Sequence, residues 1–420
     1  MDPRHFEKSR CLSRFLLLID NKPASMKPNL ALTPPMGWNS WNSFGEHITE
    51  ADVRATADAL VATGLAAAGY QYVVIDDHWH GETRVDGKLT WNPQKFPSGI
   101  PALADYVHRK GLKFGIYSCA GTHTCGGKPA SFRQEEIDAR TFAEWGVDFL
   151  KYDFCFFPAE ANGPASYRRM AQALRNCGRD IVFSLCNWGR DDLHTWARHS
   201  GGHLWRTAGD IKDKWSSIYD LGFRRQKDLH PYAGPGGWND PDMLVVGMRG
   251  QGKNLEVIGD AESPAEWVTD AIANEGPAGC TDDEYRSHFA LWCLQAAPLI
   301  IGADIRALDP NNLQLLLNRD LIAVNQDSLG IQARCLGSHR SVQTWSKPLA
   351  DGDIAVGLFN LGKEAQWKAP VSWECLGLPD HAECRVTELV SGEDRGIFTR
   401  FYNSAGIPSH GCEVLRIHPL

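Results

Sequence analysis

The chain has 420 residues, 43% of them hydrophobic and 22% charged, and a formal net charge of −8. That is too long for one small domain, and the composition is that of a soluble globular protein with enough chain for a large core. The acidic balance leaves no basic surplus to neutralise phosphate, which argues against nucleic acid or an anionic membrane as a partner.

The first residues, "MDPRHFEKSRCLSRFLLLID", hold one short apolar run, "FLLLI", and no small-residue cleavage site follows it. A secretory h-region needs roughly 7–15 apolar residues, so residues 1–29 read as an N-terminal extension, with Met26 a second candidate start. No stretch approaches the roughly 20 apolar residues of a spanning helix. Twelve cysteines are scattered without a CxxC pair, against a zinc ribbon or a dense disulfide scaffold. With no signal peptide in view the expected compartment is the cytoplasm, with mostly free thiols; a signal removed from the start would make the protein secreted.

From residue 36 to 304 short apolar runs alternate with amphipathic ones. Eight strands are predicted, within "MGWNSW", "YQYVVIDD", "LKFGIYS", "DFLKYD", "DIVFSLCNW", "HLWRTAG", "WNDPDML" and "PLIIGAD". Between them "EADVRATADALVATG", "IPALADYVHRKG", "EEIDARTFAEWG", "ASYRRMAQALRN" and "DEYRSHFALWCLQAA" repeat apolar residues at three and four, the helical period. Little helix separates Trp188 from His203. Alternation of this length indicates a parallel sheet with helices outside, and eight units match the (β/α)8 TIM barrel, assigned here to residues 30–330. A doubly wound sheet would carry a glycine-rich phosphate turn after its first strand, and the sequence has none there. Residues 331–420 change texture to short, turn-separated β-rich runs, predicting an antiparallel β-sandwich. Residues 248–280 read as a long insertion after the seventh strand, placed to shape substrate access or to build a contact in a homo-oligomer.

In such a barrel the active site lies where the strands end. Those ends carry Trp41, Asp76, Asp77, Tyr117, Lys151, Asp153, Cys186, Trp188, Arg206, Asp210, Asp240, Asp242 and Asp304. Three chemistries compete for them. A metal site would use the carboxylates or the His78/His80 pair of "DDHWH", but no other strand-end histidine completes a ligand set. A purely structural role, capping helices or pairing with arginines, suits Asp148, Asp240 and Asp304. Glycoside hydrolysis by two carboxylates needs a carboxylate ring, hydroxyl-binding acids and aromatic platforms, with no metal and no cofactor, and this chain supplies them. Lys151 lies two residues from Asp153 on one face of a strand, where its charge should favour the ionised carboxylate.

"PPMGWNSWNSFG", "YVVIDDHW", "GIYS", "WGVDFLKYDFC", "LCNWG", "WRTAGDI", "GGWNDPDMLVVG" and "NQDSLG" occur in this order over roughly residues 30–335. The pattern resembles the α-galactosidase/α-N-acetylgalactosaminidase family, glycoside hydrolase family 27. The resemblance implies a barrel followed by an antiparallel β domain, and a retaining hydrolysis of terminal α-D-galactosyl residues on an oligosaccharide or glycoconjugate. It implies Asp153 as nucleophile and Asp210 as acid/base, the latter starting protonated. It further implies Asp76 and Asp77 on the O4 and O6 hydroxyls, Lys151 on O3 and O4, Arg206 on O2 and O3, Trp41 along the apolar face, and Tyr117 and Asp242 nearby. Cys186 and Trp188 in "LCNWG" match the galactose form rather than the roomier N-acetylgalactosamine form. Both acids near O6 are present, which favours galactose over β-L-arabinopyranose. The family's disulfide maps to Cys125 and Cys155. Asn187 stands where many relatives have glutamate, and His78 where many have cysteine or glycine. A non-catalytic galactoside-binding protein is the competing class, and it would be expected to lack one of the two catalytic carboxylates.

Overall fold

Eight short apolar runs pair in parallel, each with its neighbour in the chain. The computed structural model describes residues 30–252 and 278–420; the N-terminal extension and most of the 248–280 segment lie outside them. The strands are β1 (Met36–Asn39), β2 (Tyr72–Val74), β3 (Lys113–Cys119), β4 (Phe149–Asp153), β5 (Val182–Leu185), β6 (Leu204–Arg206), β7 (Trp238–Asp240) and β8 (Leu299–Ile301). Their order is β7-β6-β5-β4-β3-β2-β1-β8. Just past β7, Leu244 bridges Ile301 of β8 in parallel. The Leu244 amide donates to Ile300 O at 2.7 Å and the Gly302 amide to Leu244 O at 2.8 Å, which closes the sheet into a barrel.

A strand turns every second side chain inward, so the barrel interior can be read in layers. Tyr72, Phe149, Val182, Leu204 and Trp238 form a buried apolar cluster. Two residues farther along each strand come Val74, Lys151, Ser184, Arg206 and Asp240, which line one cavity. Another step of two reaches Asp76, Asp153, Cys186 and Asp242. The inward face therefore changes from apolar to charged toward the carboxyl ends of the strands.

The helices outside begin where their sequences supply caps. The Thr49 side chain accepts the Asp52 amide at the start of Glu50–Ala62, and Asn162 accepts the Ala165 amide at the start of Gly163–Asn176. Asp282–Leu294 opens on a capping box of Thr281 and Glu284. Each such cap is worth about 1 kcal/mol. Helix Ile100–Arg109 buries Ile100, Leu103, Ala104 and Val107, the spacing of one helical face. Between β5 and β6 there are only a 3-10 turn, Arg190–Asp192, and the short helix Leu193–Trp196, matching the sparse helical signal there. Among the described residues no helix is long and apolar enough to cross a membrane.

The C-terminal strands are β9 (Arg334–His339), β10 (Val342–Pro348), β11 (Ile354–Asn360), β12 (Pro370–Ser372), β13 (Glu383–Glu388), β14 (Asp394–Thr399), β15 (Phe401–Asn403) and β16 (Cys412–Pro419). They form a six-stranded antiparallel sheet, β14-β13-β16-β11-β10-β9, and a two-stranded one, β12-β15. Val356, Val371, Trp373, Tyr402 and Leu415 belong to one buried cluster that joins the two sheets. Helix Asp282–Leu294 lies against β10, β11 and β16. Phe223, Trp292, Trp345 and Phe359 share a core with the barrel. At the rim, His410 stacks on Trp215 with ring centroids 4.4 Å apart, its Nδ1 lies 2.6 Å from Glu284 Oε1, and its carbonyl accepts from Ser287 Oγ at 2.6 Å.

One cation is buried at this junction. Lys347 of β10 is 1% exposed and donates to Val324 O at 2.8 Å. Burial pushes its ammonium down to about 8, against about 10.4 for a free lysine. Between those values the unfolded chain holds a proton that the native chain has released, so stability rises with pH across that window. Lys347→Met removes this term: the unfolding midpoint of the variant relative to the native protein should fall by a few degrees between about pH 7 and about pH 10. Thermal unfolding of both proteins across that range checks it, and a difference independent of pH would refute the assignment.

Candidate active site

The charged layer is held together by two cations. Lys151 Nζ lies 2.7 Å from Asp76 Oδ2 and 5.4 Å from the centroid of the Tyr117 ring. Burial pulls Lys151 down, but Asp76 and the carboxylates behind it outweigh that and hold the ammonium above its ordinary value. Asp76 also accepts Asn39 Nδ2 at 2.8 Å and the Asp77 amide at 2.9 Å. Arg206 forms the second clamp. Its Nη2 donates to Asp210 Oδ1 at 2.9 Å and to Gly209 O at 2.6 Å, its Nη1 lies 3.1 Å from Asp242 Oδ1, and Nη1 also donates to the Cys186 sulfur at 3.7 Å.

Asp153 is 5% exposed. It accepts the Phe154 amide at 2.9 Å and the Tyr117 hydroxyl at 3.2 Å. Burial pushes its carboxyl up to about 7, with Asp210 and Asp76 adding to the rise and Lys151 opposing it. Burial also pulls the Asp210 carboxyl up, but Arg206, Lys151 and Lys212 prevail and hold it below the usual aspartate value. Burial thus raises Asp153 while Arg206 lowers Asp210, the opposite directions from those the sequence suggests. The reason is geometric: Lys151 is engaged by Asp76, whereas Arg206 is in direct contact with Asp210.

Asp242 adopts φ +91°, a conformation that a non-glycine residue reaches only under strain. It is fixed from several sides: its amide donates to Asp240 Oδ1 at 2.9 Å, its carbonyl accepts Trp292 Nε1 at 2.8 Å, and Oδ2 accepts the Ile211 amide at 2.8 Å. The last bond anchors the loop that carries Asp210. Burial pushes the Asp242 carboxyl up to about 6, with Arg206 opposing.

Asp77 is 1% exposed, with Oδ1 accepting the His78 amide at 2.7 Å and Oδ2 the Gly126 amide at 2.8 Å. The walls are aromatic. Trp41 stacks on His78 with rings 11° from parallel, and Trp188, at φ +60°, meets Phe154 edge to face. Cys125 and Cys155 are joined by a disulfide with Cα atoms 5.1 Å apart. It fastens the loop after β3 to the end of β4, and a Cβ on Gly121 would stand 1.9 Å from Cys155 O, so only glycine permits that approach. Tyr117 Oη lies 3.3 Å from the Cys125 sulfur. Among the described residues, the donor set close enough to share a metal ion is Cys125, Asp153 and Cys155, and its two sulfurs are bonded to each other.

Of the three aspartates expected to be structural, two are. Asp148 pairs with Arg179 at 2.6 Å and His108 at 2.8 Å, and Asp304 accepts the Arg306 amide and pairs with its guanidinium. Asp240 belongs instead to the site: it lines the cavity beside Lys151 and Arg206. Its place two residues before Asp242, on the same strand face, was the available signal. Asn39, the strand-end amide that holds Asp76, was missed although it stands in "MGWNSW" two residues past Gly37.

A family model described as alpha galactosidase A matches residues 33–257 and 249–327, and one described as the alpha galactosidase C-terminal beta sandwich domain matches 339–417. The alpha-galactosidase of Cyamopsis tetragonoloba is 44% identical over 403 residues, covering 93% of this chain and 87% of that one. The crystal structure of alpha-galactosidase I from Mortierella vinacea matches with a TM-score of 0.82 at 32% identity, over 93% of this chain and 98% of that one. The alpha-galactosidase of Saccharomyces cerevisiae, solved with raffinose, matches with a TM-score of 0.82 at 28% identity, over 94% of this chain and 100% of that one.

The disulfide closes a loop with a sequence separation of 30, worth about 3–4 kcal/mol if its stabilisation is loop-closure entropy. The same loop carries the Gly126 amide to Asp77. Replacing both Cys125 and Cys155 by alanine should lower the midpoint of thermal unfolding by several degrees and reduce kcat/KM about ten-fold through a misplaced wall. Unchanged values of both quantities would make the bridge dispensable.

Proposed function

The chain belongs to the alpha-galactosidase family, glycoside hydrolase family 27, and from that membership we propose that it removes terminal α-D-galactosyl residues by a retaining double displacement. The single observation that carries the residue assignment is that Asp153, held by the Tyr117 hydroxyl, and Asp210, held by Arg206, both stand in the charged layer at the carboxyl end of the barrel. In the first step the Asp153 carboxylate attacks the anomeric carbon while Asp210 gives its proton to the departing glycosidic oxygen. In the second, Asp210 takes a proton from water, the water oxygen attacks the same carbon, and Asp153 is released.

This chemistry needs one proton on the pair, placed on Asp210. In the free protein burial favours the neutral carboxyl at Asp153 and Arg206 favours the charged one at Asp210. A galactosyl residue seated against Arg206 draws on the same donors, weakening the hold on Asp210 and letting the proton cross. The remaining assignments follow the charge layer: Asp76 to O4, Asp77 to O6, Lys151 and Arg206 to the ring hydroxyls, and Trp41 along the apolar face. Cys186 beside Arg206 and Trp188 on the fifth-strand loop support galactose over an N-acetylated sugar. A relative solved with raffinose supports an α-galactoside oligosaccharide as substrate. The Cys125–Cys155 bridge favours an oxidising compartment over the cytoplasm.

Asp153→Asn should lower kcat on p-nitrophenyl α-galactoside by at least about 10³-fold while leaving galactose binding measurable by calorimetry. Activity within about ten-fold of the native protein would remove Asp153 as nucleophile. Since the pair loses its one proton at about pH 7, kcat/KM should fall above that pH with unit slope. A profile flat to about pH 9 would contradict that proton count.

A further inference from the structure

Of the two histidines of "DDHWH", His78 lies against Trp41 in the wall of the site, and His80 is left without a role. His78, at φ +67°, turns the chain back on itself, so that His80 returns beneath Asp77. His80 is fully buried, stacked on Trp79 with ring centroids 3.8 Å apart and edge-on to Tyr117 at 6.4 Å. Neither of its ring nitrogens has a hydrogen-bond partner. Nδ1 stands 3.5 Å from Asp77 Oδ1, just outside bonding distance.

An apolar side chain would fill this space without burying two unsatisfied nitrogens, so packing alone does not account for an imidazole. Burial, with His78, Arg84 and Lys128 nearby, pushes the ring well below its ordinary value, so it is neutral. A neutral imidazole carries one N–H, and a carboxylate facing Nδ1 selects the tautomer with the proton there. Asp77 already takes one backbone amide on each oxygen. Thr124 is a further side-chain partner of that carboxylate, and of its roughly four acceptor places the one on Oδ1 faces His80 Nδ1.

We propose that His80 is a positioning residue for Asp77: its Nδ1–H supports the carboxylate from below when that carboxylate receives the C6 hydroxyl, and so strengthens the preference for sugars that carry one. The proposal rests on the reading of Asp77 as the O6 acceptor.

The test compares p-nitrophenyl α-D-galactopyranoside with its 6-deoxy analogue, p-nitrophenyl α-D-fucopyranoside. His80→Leu should lower kcat/KM on the galactoside about ten-fold, mainly through KM, and change it less than about two-fold on the 6-deoxy sugar. His80→Asn, whose amide nitrogen takes the Nδ1 place, should restore the preference; His80→Gln, which reaches the Nε2 place, should not. If both substrates decline together, or if Asn and Gln behave alike, the proposal is overturned, and the Asn and Gln variants decide it should the leucine variant fail to fold. A native protein that hydrolyses neither substrate would instead overturn the functional reading on which it rests.

Discussion

Within a closed barrel, space for inward side chains is limited and water is scarce, so every charge placed there must find its counter-charge inside. Lys151 and Arg206 are the cations of the central layer, and the carboxylates sort themselves around them. Asp76 takes Lys151, Asp242 and Asp210 share Arg206, and Asp153 is left with a phenol and a backbone amide. A buried carboxylate supported only by neutral donors keeps much of its basicity. On the proposed assignment of Asp153 that is the property a nucleophile needs, and here it arises from the allocation of two cations among more than two acids.

The strained residues serve the same allocation. Asp242 can reach Arg206 and the Ile211 amide together because its backbone adopts a conformation that side chains ordinarily avoid. Trp188 holds another such conformation on the fifth-strand loop, where its ring closes the wall beside Phe154. Both stand at strand ends, where the surrounding core is dense enough to enforce a costly backbone. Rigidity of this kind keeps hydrogen-bond donors aimed at fixed points, so the site need not reorganise as charge moves between its carboxyl groups.

Much of this was legible from residue order alone. The eight strands showed as apolar runs ending in polar residues, and the site showed as the residues at those ends, because period-two alternation and parallel topology leave few other arrangements. The roles expected of Asp153 and Asp210, and the Cys125–Cys155 pairing, came from the longer motif pattern rather than from local physics. What could not be read was competition. That Lys151 lies on the strand face of Asp153 is visible in the sequence; that it gives its closest contact to Asp76 depends on a fold that brings residues 75 positions apart to within 2.7 Å. Asp240 read as a structural residue, a cap or an arginine partner, for the same reason, since nothing local says that it will line a cavity with Lys151 and Arg206. The role of His80 was likewise hidden, because the sequence places it beyond the strand and the left-handed turn at His78 brings it back.

The contact of His410 with Trp215 and Glu284 ties the C-terminal sheets to the rim of the barrel. Trp215 follows Asp210 by five residues, and Glu284 caps the helix that leads into β8. The β domain is therefore not a cassette that recombination could exchange freely for another module. A replacement would have to reproduce an imidazole at one loop tip, and the aromatic face of Phe359 and Trp345 along one sheet. Lineages carrying this barrel would be expected to inherit the two parts together, and to vary instead in loops that touch neither.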